Sequence, residues 1–289
     1  MPVYNAERYV ADATESILAQ THRDFEFIII NDGSTDDSLR ILKKYAAADS
    51  RVRLLSRSNT GIVEALNEGL SLARGQFIAR MDADDLCRRD RFELQLALME
   101  QDPELVVLGS CALAIDPEGD ALGHAPVPLS HDEIEARHLR GMSSIYHPAV
   151  MMRGEVLRKL GGYRSGTCPC EDFDLWLRMG EIGKLANMPE PLFVWRRTLS
   201  GIVATRSAEI KGTLQRIVAD AWRRRKLPGN STISNVDVVS GSDLCAQWGW
   251  QALRHGHVRT ARKYAYKYLI AEPWRRNAWK LAACAMRGH

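Results

Sequence analysis

The sequence predicts an α/β fold: a mostly parallel central sheet flanked by helices, followed by a helical extension at the C-terminal end. Three observations predict it. Apolar runs of strand length alternate with segments of helical periodicity through roughly the first 115 residues. The links between them are short, so the chain must cross back over the sheet after each strand. Polar clusters follow two of the strands, at the carboxyl ends where such sheets hold ligands.

The elements follow in order. Val10, Thr14, Ile17 and Leu18 recur at helical spacing, and Phe25 to Ile30 is a compact apolar run. Ser34, with Asp37 three residues on, reads as the cap of a helix reaching Tyr45. Arg51 to Ser56 reads as a strand, Ile62 to Ala73 as a helix closed by Gly75, and Phe77 to Met81 as a strand. Arg91 to Glu100 returns to helix and Leu105 to Ile115 to strand, before a Pro- and Gly-containing loop from Pro117 to Pro128. A helix near His131 to Leu139, a strand from Pro148 to Arg153 and a short helix ending at Gly161-Gly162 come next. Glu171 to Met179 carries an apolar helical face of Phe173, Leu175, Trp176 and Leu177. Val194 to Arg197 closes the main domain, placed at residues 1–205. Residues 206–289 read as a helical, basic extension, interrupted at Pro228 to Ser231 and ending in a helix pair around Glu272-Pro273.

With 289 residues, 45% hydrophobic and 26% charged, the composition is that of an ordinary globular protein. No run reaches about 18 apolar residues and no charged-then-apolar leader opens the chain, so neither a transmembrane helix nor a signal peptide is expected. The six cysteines lack zinc-finger or disulfide-scaffold spacing and read as reduced thiols of a cytoplasmic protein. The net charge of +3 hides an asymmetry: of 39 basic and 36 acidic residues, 18 and 5 lie from Arg196 onward, leaving 21 and 31 before it. An acidic body with a basic tail points to an anionic partner for the tail, or to a solvated helical face.

Asn31-Asp32-Gly33-Ser34 follows the first apolar strand and Asp82-Ala83-Asp84-Asp85 follows the Phe77 strand, so both face one crevice. Carboxylates this close repel, and a cation relieves them; hard oxygen ligands suit Mg²⁺ or Mn²⁺ together with substrate phosphates. A solvated Asp-rich turn is the other reading. Asp32 fits a hydrogen bond to a base or ribose, or a cap of the next helix. No G-x-G-x-x-G accompanies it, and no phosphate-cradling Gly-rich loop supports a nucleotidyltransferase. Tyr4 fits stacking on a nucleobase or packing in the core. Glu171-Asp172 opens a helix, where the dipole keeps a carboxylate ionised as a general base or simply caps the helix. His147, before Pro148, fits a phosphate contact or a strand start, and Cys168 and Cys170 read as loop residues.

In order, Pro2-Val3-Tyr4-Asn5-Ala6-Glu7, Gln20-Thr21, Asn31-Asp32-Gly33-Ser34-Thr35-Asp36, Ala73-Arg74-Gly75, Asp82-Ala83-Asp84-Asp85, His147-Pro148-Ala149-Val150, Gly161-Gly162-Tyr163 and Glu171-Asp172-Phe173-Asp174-Leu175-Trp176 resemble the motifs of family 2 glycosyltransferases. The resemblance runs from residue 1 to about 200. It implies a GT-A fold, an inverting mechanism, a nucleoside-diphosphate sugar donor, often with UDP, and an acceptor hydroxyl in surface polysaccharide or lipid-linked glycan synthesis. Donor contacts carried over fall on Pro2, Val3, Tyr4, Glu7, Asp32, Asp82 and Ala83, with Tyr4 stacking on the base and Asp32 binding it. Asp84 matches the direct ligand of Mn²⁺ or Mg²⁺, and Asp172 matches the catalytic base. His147, Glu171 and Trp176 fall where further donor or acceptor contacts are expected. Three departures stand out. Met1 replaces the apolar residues that usually precede Pro-Val-Tyr-Asn, so either the first strand is shortened or the true start lies upstream. Asn31 stands where Asp is more usual, and Leu66 where many members carry Arg. A non-catalytic nucleotide-sugar-binding module is the alternative that a shortened strand suggests.

The basic run Arg223-Arg224-Arg225-Lys226 beside Trp222, and Arg275-Arg276 between Trp274 and Trp279, fit peripheral attachment to the inner face of an anionic membrane. Each such charge contributes about 1 kcal/mol near the surface. No nucleic-acid motif accompanies them, so nucleic acid is not expected as a partner.

Overall fold

A computed structural model describes residues 1–198, 207–229, 231, 233 and 241–288. Two sheets form the body. The first is parallel, in the order β1 (Pro2–Val3), β2 (Phe27–Asp32) and β3 (Val52–Arg57). Helices α1 (Val10–Leu18) and α2 (Ser38–Ala48) make its crossovers, and α3 (Ile62–Leu72) leads from β3 toward the second sheet. The apolar run Phe27-Ile28-Ile29-Ile30 forms β2 because β-branched side chains suit a sheet covered on both faces.

The second sheet runs β4 (Phe77–Ala79), β8 (Met151–Arg153), β6 (Leu105–Ile115), β9 (Lys184–Arg196) and β5 (Leu86–Cys87), with β7 (Ala121–Ala125) paired to β6. Only β6 and β9 pair parallel here; β4–β8, β6–β8, β6–β7 and β5–β9 are antiparallel. Parallel pairing is thus confined to the first sheet and this central pair; a hairpin delivers β7, and β8 returns antiparallel after a connection that carries the helix at His131–His138. β9 is far longer than the Val194 to Arg197 segment expected from sequence. Pro189, Glu190 and Pro191 interrupt its apolar pattern, and the pairing register shifts there, opposite Ser110 and Cys111. β7 lies inside the expected Pro117–Pro128 loop, as the return arm of a turn organised by Asp116.

β1 pairs with β2 only at Pro2↔Ile30 and Val3↔Asn31. A cavity of about 910 Å³ lies between the two sheets, walled by Phe27, Ile28, Ile30, Phe77, Ile78 and Met81. Ser34 does not cap α2, which begins at Ser38. Its hydroxyl instead accepts the Asn5 N–H (3.0 Å), because residues 33–37 are held out of the helix by the β1–α1 loop.

Helices α4 (Arg91–Gln101), α5 (His131–His138), α6 (Gly154–Lys159) and α7 (Glu171–Met179) cover the second sheet. Of the C-terminal helices, α8 (Ser207–Arg224) packs Ile210, Leu214, Ile217 and Val218 against Phe173 and Leu177 of α7. α9 (Gly241–Arg254), α10 (Val258–Ala271) and α11 (Arg276–Arg287) share a core with β6, β7 and β9, in which Trp248, Tyr264, Tyr268 and Leu281 meet Ala112, Leu122 and Phe193. The expected boundary at 205/206 lies outside the described residues. Among the described residues no helix is long and apolar enough to cross a membrane.

Candidate active site

The crevice is built first from the loop after β1. Val3 is buried, Asn5 takes φ 50°, and the loop is bonded to the β2–α2 loop: Asn5 Oδ1 accepts the Thr35 N–H (2.8 Å) and Glu7 Oε2 the Asp37 N–H (2.9 Å). Glu7 therefore sits at the positive end of α2, where a carboxylate is favoured. Tyr4, at the tip, stays 55% exposed.

Asp32 ends β2 in register with Arg57 of β3. Its carboxylate accepts Arg57 Nε (2.9 Å), the Thr60 N–H (3.1 Å) and the Gly61 N–H (2.9 Å), the last two at the start of α3. Arg57 also reaches Glu68 (2.6 Å). At 4% exposure, Asp32 shares its oxygens among three donors of its own chain, and any base contact must be made alongside them. Gly33 follows at φ 74°, and a Cβ there would stand 2.5 Å from the Asn59 nitrogen, so only glycine lets the two loops approach.

Beyond β4, Asp82, Asp84 and Asp85 each bring a carboxylate oxygen within 4.8 Å of the others. Buried Asp85 accepts the Arg196 N–H (2.8 Å), and Arg196 Nε donates to the Asp84 carbonyl (3.0 Å). The Arg196 guanidinium also lies 4.5 Å from the Tyr9 ring, tying this turn to α1. Burial, then the Asp82 charge, pushes the Asp84 carboxyl up to about 6. Burial, then Asp82 and Asp84, lifts Asp85 well above the carboxylate range. A divalent cation would remove that repulsion, so the donor set fits a hard metal. Ala83 is buried and can offer a ligand only backbone.

The third contribution is the start of α7. Asp172 Oδ1 accepts its neighbour's Phe173 N–H (2.7 Å), and buried Glu171 keeps one oxygen without a partner. Burial, then Asp172, pushes Glu171 up to about 7, and burial raises Asp172. Buried Arg80 unites these groups. It pairs with Asp82 and also acts on Asp84, Glu171 and Asp172, while Asp82 acts on Glu171 and Asp172. The acidic turn and the α7 carboxylates thus lie within electrostatic reach of one another, with Arg80 acting on both. Burial disfavours the Arg80 charge, yet Asp82, Tyr163 and Asp172 together hold it above its usual range.

Two expected contacts are placed differently. Trp176 is 0% exposed and packs edge-on against His147 (centroids 5.6 Å apart), so it has no surface to offer a ligand and acts as a floor. His147 is buried, its Nε2 2.8 Å from the Tyr163 hydroxyl, and burial with the nearby Arg80 keeps its ring neutral. Tyr163 is bonded through its backbone to Asn67 of α3 (2.8 and 2.9 Å), which joins the Asp32 wall to the α7 wall. Arg80 and Arg196 escaped the sequence reading, and Tyr163 entered it only as part of the Gly161-Gly162-Tyr163 motif. Arg80 had a signal, since Arg80 and Asp82 stand two apart at a strand end and so share a face; Arg196 had none, because only the fold brings it across 111 residues to Asp85.

Residues 1–161 match the family described as Glycosyl transferase family 2. The chain is 37% identical over 233 residues, 79% of its own length and 82% of the other, to EpsE of Bacillus subtilis (strain 168), described as a glycosyltransferase. In fold it is similar to S. aureus TarS 1–349 in complex with UDP-GlcNAc (TM-score 0.58, 16% identity, 99% of this chain and 87% of that one). It is also similar to the mannosyltransferase PcManGT of Pyrobaculum calidifontis in complex with GDP-Man and Mn²⁺ (TM-score 0.56, 16% identity, 99% and 78%). The fold is GT-A.

Proposed function

The chain belongs to glycosyl transferase family 2 and is a glycosyltransferase; from that premise we propose that it moves a sugar, with inversion, from a UDP-sugar to an acceptor hydroxyl on a glycan or lipid-linked glycan. The observation that supports this reading is the electrostatic coupling of Asp82, Asp84, Glu171 and Asp172 to the buried Arg80, which pairs with Asp82. Tyr4 offers an exposed ring for the base, and the Asp32–Arg57 pair walls the nucleotide side. Pro2, Val3 and Ala83 contribute backbone. Asp84 is the metal ligand, with Asp82 nearer the ribose or sugar. Asp84, with Asp82 beside it, would hold a divalent Mn²⁺ or Mg²⁺, which would supply positive charge against the charge that develops on the leaving diphosphate.

Asp172 takes the proton from the acceptor hydroxyl as that oxygen attacks the anomeric carbon opposite the diphosphate; the anomeric carbon–oxygen bond breaks and the nucleoside diphosphate leaves. A base raised by burial suits this task, because the upward shift makes its carboxylate a stronger proton acceptor. Glu171 lies beside it and orients the acceptor. Asp84→Ala and Asp172→Asn should each lower transfer, the latter by about 10²–10⁴-fold. The assay is nucleoside diphosphate release from a panel of UDP- and GDP-sugars, with Mn²⁺ present or chelated. Near-wild-type turnover by both variants would remove the mechanism.

We propose that any membrane attachment runs through the α10–α11 turn rather than through the arginine run. Arg223, Arg224 and Arg225 are engaged by Asp220, Glu181 and Glu135. At the turn, Trp274 (76% exposed), Trp279 (59%) and Ile270 face solvent beside Arg276 and Lys280. Aromatic tips flanked by cations suit the headgroup boundary of an anionic, cytoplasm-facing leaflet. Co-sedimentation with anionic vesicles should fall for Trp274→Ala/Trp279→Ala, and equal recovery with neutral vesicles would count against it.

A further inference from the structure

A groove of about 960 Å³ opens beside the end of β9, where Arg197 follows the strand. Gln247, Trp250, Gln251 and Arg254 form one wall. Their spacing of three and four places them on a single face of α9, whose other face buries Cys245, Trp248 and Ala252. Arg275 and Asn277, from the α10–α11 turn and the start of α11, stand opposite.

The floor is Arg197. Its guanidinium lies 5.0 Å from the Trp195 ring and 5.2 Å from the Trp248 ring, and Nη1 donates to Gln251 Oε1 (3.2 Å). Burial pushes its pKa down, opposed only weakly by Tyr146. Among the described residues no carboxylate pairs with it, nor with Arg254. A half-buried cation without a counter-ion is costly, and a ligand anion offsets that cost. Arg275 differs, being paired with Asp243 (2.7 Å) and Glu272 (3.2 Å).

We propose that this groove is an acceptor subsite for an acidic sugar unit, its carboxylate or phosphate group held by Arg197 and Arg254. The guanidinium fork matches such oxygens. The Trp250 ring offers a flat apolar face to the C–H side of a pyranose, and the amides of Gln247, Gln251 and Asn277 both donate to and accept from hydroxyls. The location fits an acceptor. Arg196 ends β9 and Arg197 follows it in the chain, about 3.8 Å away at Cα. One braces the metal-binding turn and the other floors the groove. The assignment of the groove to the acceptor rests on the transfer reaction proposed above; the binding itself does not.

The test titrates the full chain with a glucuronate-containing tetrasaccharide and with its neutral methyl ester, read by tryptophan fluorescence and calorimetry. The acid form should bind at least tenfold tighter. Arg254→Glu, a surface change, should abolish that preference, and Arg197→Lys should reduce it several-fold with folding intact. Asp172→Asn should bind as wild type, and a wild-type chain that transfers no sugar yet keeps the acid preference would refute the reaction and leave the groove standing. Equal binding of acid and ester, or an unchanged Arg254→Glu, would overturn the proposal. So would an Arg254→Glu effect confined to phosphatidylglycerol vesicles, which would make the groove a lipid contact.

Discussion

At the scale of single residues, the acidic turn trades stability for chemistry. Asp84 carries a folded-state pKa near 6 against an ordinary value of 3.8, so the native state binds this proton more tightly than the unfolded chain does. Its contribution to stability is therefore complete below about pH 4 and lost as pH rises toward 6; Glu171 extends the loss through about 7. The metal-free protein should thus unfold at a lower temperature at pH 7.5 than at pH 5.5, and Mn²⁺ should narrow the gap. Asp84→Asn should stabilise the metal-free protein by about 1–3 kcal/mol while abolishing the metal response. Thermal scans in chelator and in Mn²⁺ check both; a destabilised Asp84→Asn would show that the carboxylate is structural. Arg80 is the counterweight. Removing a buried cation from among four carboxylates leaves them unpaired, so Arg80→Met should cost about 3–5 kcal/mol and move the activity profile to higher pH.

At the scale of elements, the nucleotide wall depends on strand ends being fastened to helix starts. Asp32 joins β2 to β3 through Arg57 and to α3 through the Thr60 and Gly61 amides. Asp32→Ala should therefore cost about 2–4 kcal/mol in urea unfolding, beyond any loss of nucleotide affinity. A loss of affinity without loss of stability would mean that these bonds are dispensable to the fold. Gly33→Ala should be comparably damaging, because the added methyl meets backbone rather than a side chain that can swing away. Such elements were only partly legible in sequence. Apolar periodicity located α1, β2, α3, β6 and α7 because each buries one face or both. It missed β7 and most of β9, whose pairing is set by partners and not by their own pattern. It also misassigned Ser34, whose hydroxyl had an alternative donor in Asn5.

At the scale of the whole molecule, the C-terminal helices are fastened to the body by charge as well as by packing. Lys263 reaches Asp116, Glu118 (2.9 Å) and Asp120 (2.8 Å), and the Tyr264 hydroxyl donates to Asp116 (2.9 Å). Asp116 is wholly buried, so Lys263→Met would strand its charge; a loss of about 2–4 kcal/mol and a single unfolding transition are expected. Separate calorimetric transitions for body and helices would show that the interface is weak. Removal of α9–α11 should leave Ala112, Leu122 and Phe193 exposed and the body prone to aggregate.

The sequence by itself determined the α/β class, the glycosyltransferase family and the short list of carboxylates, because each is written in local pattern: apolar period, residues at strand ends, motifs in order. Tertiary structure decided the rest. It chose which carboxylates come under the influence of Arg80, and buried Trp176 against His147. It paired the arginine run of α8 with carboxylates and left Arg197, among the described residues, without one at the groove. The physical reason is one of range. Burial period is a property of neighbours in the chain, whereas charge pairing and desolvation are set by groups that only folding brings within a few ångströms.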